Sequence, residues 1–99
     1  MKIRFTSRAR QRAGIVATWW RTNRLRTPDL FEQELEEAVM NLAAQPDLGR
    51  PYETLGGKLV RRLLLPKTEQ HVYYGVDDAS ETVIVYTVWG ARRGRRPKL

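Results

Sequence analysis

Residues 82–99, TVIVYTVWGARRGRRPKL, decide how the rest of the chain is read. Thr82 to Trp89 is rich in β-branched and aromatic residues and apolar on both faces. That pattern fits a strand with partners on both sides. Gly90 ends it, and five cations follow within seven residues: Arg92, Arg93, Arg95, Arg96 and Lys98. A block of like charge repels itself, and folding alone gives no reason to keep one. The strand is therefore taken as the centre of the fold. The tail, residues 90–99, is taken as part of what the fold presents to a partner, against the plainer alternative of a solvated charge run.

Working outward, Asp77 to Glu81 is a polar hairpin loop, so Glu69 to Val76 is a strand antiparallel to the last one. It places Val72, Tyr74 and Val76 on one face and His71, Tyr73 and Gly75 on the other. Tyr74 is assigned to the core and Tyr73 to the open face. Pro66-Lys67-Thr68 turns the chain back to a strand over Lys58 to Leu65. There Arg61 and Arg62 are adjacent and must point to opposite faces. Tyr52 to Gly57 is read as irregular, and Asp47-Leu48-Gly49-Arg50-Pro51 as a turn-rich connection.

Upstream lie two helices. Phe31, Leu35, Ala38 and Leu42 repeat at helical spacing, with Val39 and Ala43 beside them. Thr27-Pro28-Asp29 offers a start, with Thr27 as N-cap and proline at the first helical position, and Pro46 a stop. Ala9, Ala13, Val16 and Trp20 mark a first helix over Ser7 to Asn23, capped by Thr6 or Ser7 and widened by Ile15 and Trp19. All three tryptophans are assigned to the core. Lys2 to Phe5 alternates and reads as a short strand. The order is β-α-α-β-β-β, an α+β domain with a helical hairpin on one face of a small, mostly antiparallel sheet.

Ninety-nine residues suffice for one domain, 1–99. Hydrophobic residues are 41% and charged residues 29%, the proportions of a folded domain. There is no cysteine, which excludes disulfides and thiolate metal sites and suits a reducing, cytoplasmic setting. A lone histidine is poor support for a metal, and neither metal nor cofactor is expected. No apolar run is long enough to span a bilayer and no signal peptide is visible, so no membrane partner is expected. The net charge of +7 comes in blocks. Residues 1–26 carry eight cations and no acid, residues 29–53 seven acids and one cation, and the tail five cations. The acidic face of the second helix (Glu32, Glu34, Glu36, Glu37) is read as solvated and paired with the basic first helix. The basic excess suits nucleic acid, an anionic membrane or an acidic protein.

Several stretches, in order, resemble the RelE/ParE superfamily of bacterial type II toxins. They are Trp19-Trp20, Leu42-Ala43-Ala44-Gln45-Pro46-Asp47-Leu48-Gly49-Arg50, Arg61-Arg62-Leu63, Val72-Tyr73-Tyr74-Gly75-Val76-Asp77-Asp78, and Val88-Trp89-Gly90-Ala91-Arg92-Arg93-Gly94-Arg95. The resemblance covers nearly the whole chain. It implies a small basic toxin that arrests growth and is neutralised by a cognate antitoxin. RelE-like members cleave messenger RNA on the ribosome, and ParE-like members poison DNA gyrase. For a ribonuclease, the resemblance points to Arg61 or Arg62 on the strand and Arg92 or Arg93 near the end. With His71 and Tyr73 this gives a candidate catalytic set of Arg61, His71, Tyr73 and Arg92. For target or antitoxin binding it gives Arg61, Arg62, Arg92, Arg93, Arg95, Arg96 and Lys98.

Cleaving RNA through its 2′-hydroxyl needs a base, an acid and a group that stabilises developing charge. Arginine can do the last, but with a pKa above about 12 it is a poor base. Many relatives carry histidine where this chain has Gly90, two residues before the arginine pair. That departure, with the long helical hairpin, turns the reading toward a ParE-like gyrase inhibitor that acts by binding. A ribosome-dependent endoribonuclease and a non-toxic basic nucleic-acid-binding module are the competing functions.

Overall fold

The computed structural model describes residues 1–99. The elements run β1 (Lys2–Phe5), α1 (Ser7–Asn23), α2 (Leu30–Ala44), β2 (Arg50–Leu55), β3 (Lys58–Leu65), β4 (Gln70–Asp77) and β5 (Thr82–Gly90). The strands form one sheet in the order β1-β5-β4-β3-β2. Only β1 and β5 are parallel, with Lys2 opposite Thr82 and Phe5 opposite Val85. β5 therefore has a partner on each side, as its two apolar faces require. The α+β class and the helical hairpin on one sheet face are as expected.

Thr6 makes the first turn of the fold. Its N–H donates to the Val85 carbonyl at 3.0 Å, extending the β1–β5 ladder by one residue. Its hydroxyl accepts the Ala9 N–H at 3.0 Å, which caps α1, and donates to the Tyr86 carbonyl at 2.9 Å. One side chain thus starts the helix and fixes it to β5. The core then forms between Val72 and Tyr74 of β4, Val83, Val85 and Val88 of β5, Ala9, Val16 and Ala17 of α1, and Phe31, Ala38 and Leu42 of α2. Burying side chains such as Phe31 and Leu42, each 0% exposed, contributes about 1.5–3 kcal/mol apiece. No helix is long and apolar enough to cross a membrane.

Four expectations are corrected. Residues 50–55 are a strand, not irregular chain, so the order is β-α-α-β-β-β-β. Gly56 (φ +56°) and Gly57 (φ +80°) form the two-residue turn between Leu55 and Lys58, a conformation that favours glycine at both positions. Pro51 and a bulge between Pro51 and Glu53 break the alternation that would have revealed this edge strand. α2 starts at Leu30 with Asp29 before it, because the Leu30 N–H bonds the Thr27 carbonyl in a turn that precedes the helical ladder. Ile15 and Trp19 do not widen the buried stripe of α1. They are 50% and 46% exposed, because α1 lies against β5 on its small residues. Trp20 and Trp89 are only partly buried.

The acidic face of α2 also does more than meet solvent. Glu32 pairs with Arg21 across the hairpin. The Glu34 carboxylate accepts from the Lys67 N–H at 2.8 Å, the Thr68 N–H at 3.0 Å and the Thr68 hydroxyl at 2.7 Å. It thereby pins the β3–β4 turn to the helical layer.

Candidate functional site

The sheet face away from the helices carries the candidate site. β3 places Arg62 there, β4 places His71 and Tyr73, and β5 places Trp89 opposite His71. Tyr52, from β2, packs edge-to-face against Tyr73 with ring centroids 4.9 Å apart, and His71 flanks Tyr73 at 5.9 Å. Tyr73 therefore lies on the open face but is only 3% exposed. Burial first, and then the neighbouring Arg62 charge, lower the His71 pKa below its ordinary value, so the ring is neutral at pH 7.

The tail returns across this face. The Ala91 N–H donates to the Glu69 carbonyl at 2.8 Å, and the Arg93 N–H donates to the Gly90 carbonyl at 3.2 Å, turning the chain. The Trp89 indole N–H donates to the Arg95 carbonyl at 3.0 Å. Arg96 then donates to the Tyr52 hydroxyl and to Glu53, each at 2.8 Å. Two aromatic rings organise the cations. The Tyr52 centroid lies 5.1 Å from the Arg62 guanidinium carbon and 5.0 Å from that of Arg96. Around Trp89 stand Arg93 at 4.3 Å, Arg12 at 4.9 Å and Arg95 at 5.6 Å. Each such contact contributes about 0.5–1 kcal/mol where exposed.

Of the four residues read as a catalytic set, the structure brings together two. His71 and Tyr73 share a shallow cleft of about 130 Å³ with Arg62, Arg93 and Arg96. Arg61 and Arg92 lie outside it. Arg61 alternates with Arg62 and so shares its side of β3 with Leu63 and Leu65. It donates to the carbonyls of Gly49 at 2.9 Å and Asp47 at 3.4 Å, holding the loop after α2. Arg92 pairs with Glu69 at 2.8 Å, and its side chain is 82% exposed. Arg95, Arg96 and Lys98 border a second cleft of about 380 Å³ against α1. Two residues at the centre of this arrangement were missed in the sequence, Tyr52 and Arg12. The Gly-Gly turn would have exposed Tyr52 as a strand residue. Nothing local in the sequence links Arg12 to the tail.

The profile of the family described as the ParE toxin of type II toxin–antitoxin systems, parDE, matches residues 3–94. The chain belongs to the ParE toxin family. Solved structures agree in fold with this ParE-family toxin. The Mycobacterium tuberculosis toxin–antitoxin complex RelBE2 contains a chain similar to it at TM-score 0.60 and 23% identity, over 90% of this chain and 95% of that one. The isolated Escherichia coli RelE toxin gives 0.61 and 20%, over 95% and 87%. The intact Escherichia coli RelBE complex gives 0.60 and 21%, over 93% and 98%. At these identities the likeness carries the fold alone. No curated protein matches the sequence.

In chemical terms the toxin's open face can bind an anion. Arg62, Arg93 and Arg96 supply positive charge there. Only His71 exchanges a proton near neutral pH. The nearest candidate acid is the Tyr73 hydroxyl, on a residue only 3% exposed and packed against Tyr52.

Proposed function

We propose that this toxin arrests growth by binding DNA gyrase, without chemistry of its own. The observation that carries this reading is the closed state of the open face. Tyr73 is 3% exposed under Tyr52, and Arg96 is held over that ring by two hydrogen bonds. A ribonuclease needs a base and an acid that reach the 2′-hydroxyl and the leaving oxygen. Here the neighbouring acid of the one proton-exchanging group near pH 7 is a tyrosine only 3% exposed. Gly90 adds to this. A Cβ there would meet the Arg93 Cγ at 3.4 Å, an ordinary contact, so the backbone does not demand glycine in place of a larger residue. The tail then presents Arg92, Arg93, Arg95 and Lys98 to the target, with Arg62 beside them.

A cognate antitoxin neutralises the toxin under this proposal. Two of the structural neighbours are toxin–antitoxin complexes, and a chain at +7 suits an acidic segment. The outer edge of β2, unpaired in the sheet, offers strand addition, and a helix laid in a groove is the other mode. Both partners belong to the cytoplasm.

One observation favours a second reading, a ribosome-dependent endoribonuclease. His71 is neutral and lies in one cleft with Arg62 and Tyr73, so it could accept a proton while the arginine stabilises charge. Brief induction in bacteria, with DNA and protein synthesis followed side by side, tests the choice. The gyrase reading expects DNA synthesis to stop first, and His71→Gln to leave toxicity intact. If protein synthesis stops first and His71→Gln abolishes the effect, the ribonuclease reading replaces it.

A further inference from the structure

The second cleft is not accounted for by the open-face cluster. It lies between α1 and the tail and shares Trp89, Arg95 and Arg96 with the open-face cleft. Five of its eight lining residues are cations and none is an acid: Arg8, Arg12, Arg95, Arg96 and Lys98, with Gln11 among the rest. Of these cations, Arg96 is paired with Glu53 and Arg8 donates to the Leu99 carbonyl at 3.2 Å, while Glu69 pairs with Arg92 outside the cleft. Arg12, Arg93 and Arg95 are therefore left gathered on one indole ring with no carboxylate partner. The Arg12 Nε is buried and bonds nothing in the chain. Burial first, and then the charges of Arg93 and Arg95, lower the Arg12 pKa.

Cations drawn together without a counter-charge are costly, and contact with one aromatic ring offsets only part of that cost. An oxyanion in the cleft reverses the sign of the interaction. Guanidinium forks match a phosphate group, whose several oxygens can serve more than one arginine at once. The Trp89 ring is occupied by guanidiniums, so it is not free to stack on a base. What remains is contact with the backbone and not with base edges.

We propose that the cleft between α1 and the C-terminal tail is a phosphate-binding site, built by Arg12 and Arg95 with Arg8 and Lys98, which takes a backbone phosphate of a nucleic acid strand. The site does not depend on which target the toxin has, because the test reads binding directly.

The experiment is fluorescence anisotropy of a labelled oligo-dT strand titrated with the full-length toxin at several salt concentrations. Arg12→Gln should weaken binding by about tenfold and flatten the log–log salt slope by about 0.7, the loss of one phosphate contact. Arg10→Gln removes the same charge from an exposed site on the same helix outside the cleft, and should change affinity by less than about twofold. Arg95→Gln is the second variant should Arg12→Gln fail to fold. Its main-chain carbonyl still accepts the Trp89 indole N–H in that variant. Equal losses in the cleft and control variants would overturn the site in favour of diffuse attraction. Competition by poly-glutamate as effective per charge as oligo-dT would overturn the phosphate assignment in favour of an acidic protein. Inorganic phosphate that stabilises the wild type but not Arg12→Gln, with no effect of Arg12→Gln on oligo-dT, would overturn the strand as the ligand.

Discussion

Adjacent tyrosines on β4 should respond very differently to loss of a hydroxyl. Tyr74 is 0% exposed, and its hydroxyl accepts the Gly49 N–H at 2.8 Å and donates to the Pro46 carbonyl at 2.7 Å. It therefore ties the loop after α2 to the core. Tyr74→Phe keeps the ring and its packing but orphans both backbone groups. A buried group left unsatisfied costs about 1–3 kcal/mol, and the Gly49 N–H bond is fully buried whereas the Pro46 bond is partly wet. The loss should be about 2–3 kcal/mol, or a fall in Tm of roughly 10–20 °C for a domain of this size. The Tyr73 hydroxyl makes no hydrogen bond within the chain, so Tyr73→Phe should stay within about 0.5 kcal/mol of wild type. Urea unfolding followed by far-UV circular dichroism measures both, with an unchanged m-value confirming that only stability moved. Equal effects of the two substitutions, or a Tyr74→Phe loss below about 0.5 kcal/mol, would refute the assignment of the loop tether to Tyr74.

Three further outcomes follow from single side chains. The folded-state pKa of His71 is lowered, so the unfolded chain binds more protons below the ordinary histidine value of 6.5. The corresponding stability is full above that value and is lost as pH falls through the folded-state pKa. The wild-type urea midpoint should drop more between pH 8 and pH 5 than that of His71→Gln, and parallel drops would contradict this. Glu34→Gln keeps one acceptor oxygen for three donors and should cost about 1–2 kcal/mol, read as a shift in the same midpoint. Gly49→Ala would bring a Cβ within 2.7 Å of the Tyr74 ring and hydroxyl and 2.9 Å of the Arg62 carbonyl. It should destabilise by about 1–3 kcal/mol, and a neutral effect would show that the loop yields freely.

Much of the architecture was legible because burial is periodic. Strand β3 falls on the expected residues, α1 matches end to end, and β4 and β5 are displaced by one residue at most. The apolar run of β5 required partners on both sides, and the sheet supplies them. β2 was hidden because its side chains are largely exposed and Pro51 and the bulge erase the period of two. Its one clear signal was the pair of glycines before Lys58. Alternation showed that Arg61 and Arg62 diverge, but not which of them faces the helices. That depends on Leu63 and Leu65 entering the core, and it separates a loop tether from a site residue. The meeting of Arg12 with Trp89 and the tail was beyond sequence reading. It depends on β1 ending at Phe5, so that α1 flanks the last part of β5. Trp19 shows the opposite failure, a large apolar residue at helical spacing that the small-residue contact of α1 leaves outside.

Supercoiling of relaxed plasmid by purified gyrase, with the toxin titrated in, tests the central claim most directly. Inhibition that saturates with toxin concentration, survives His71→Gln and is relieved by the cognate antitoxin is the result predicted here. Full supercoiling at saturating toxin, together with cleavage of messenger RNA on ribosomes by the same preparation, would contradict it and transfer the site to Arg62, His71 and Tyr73.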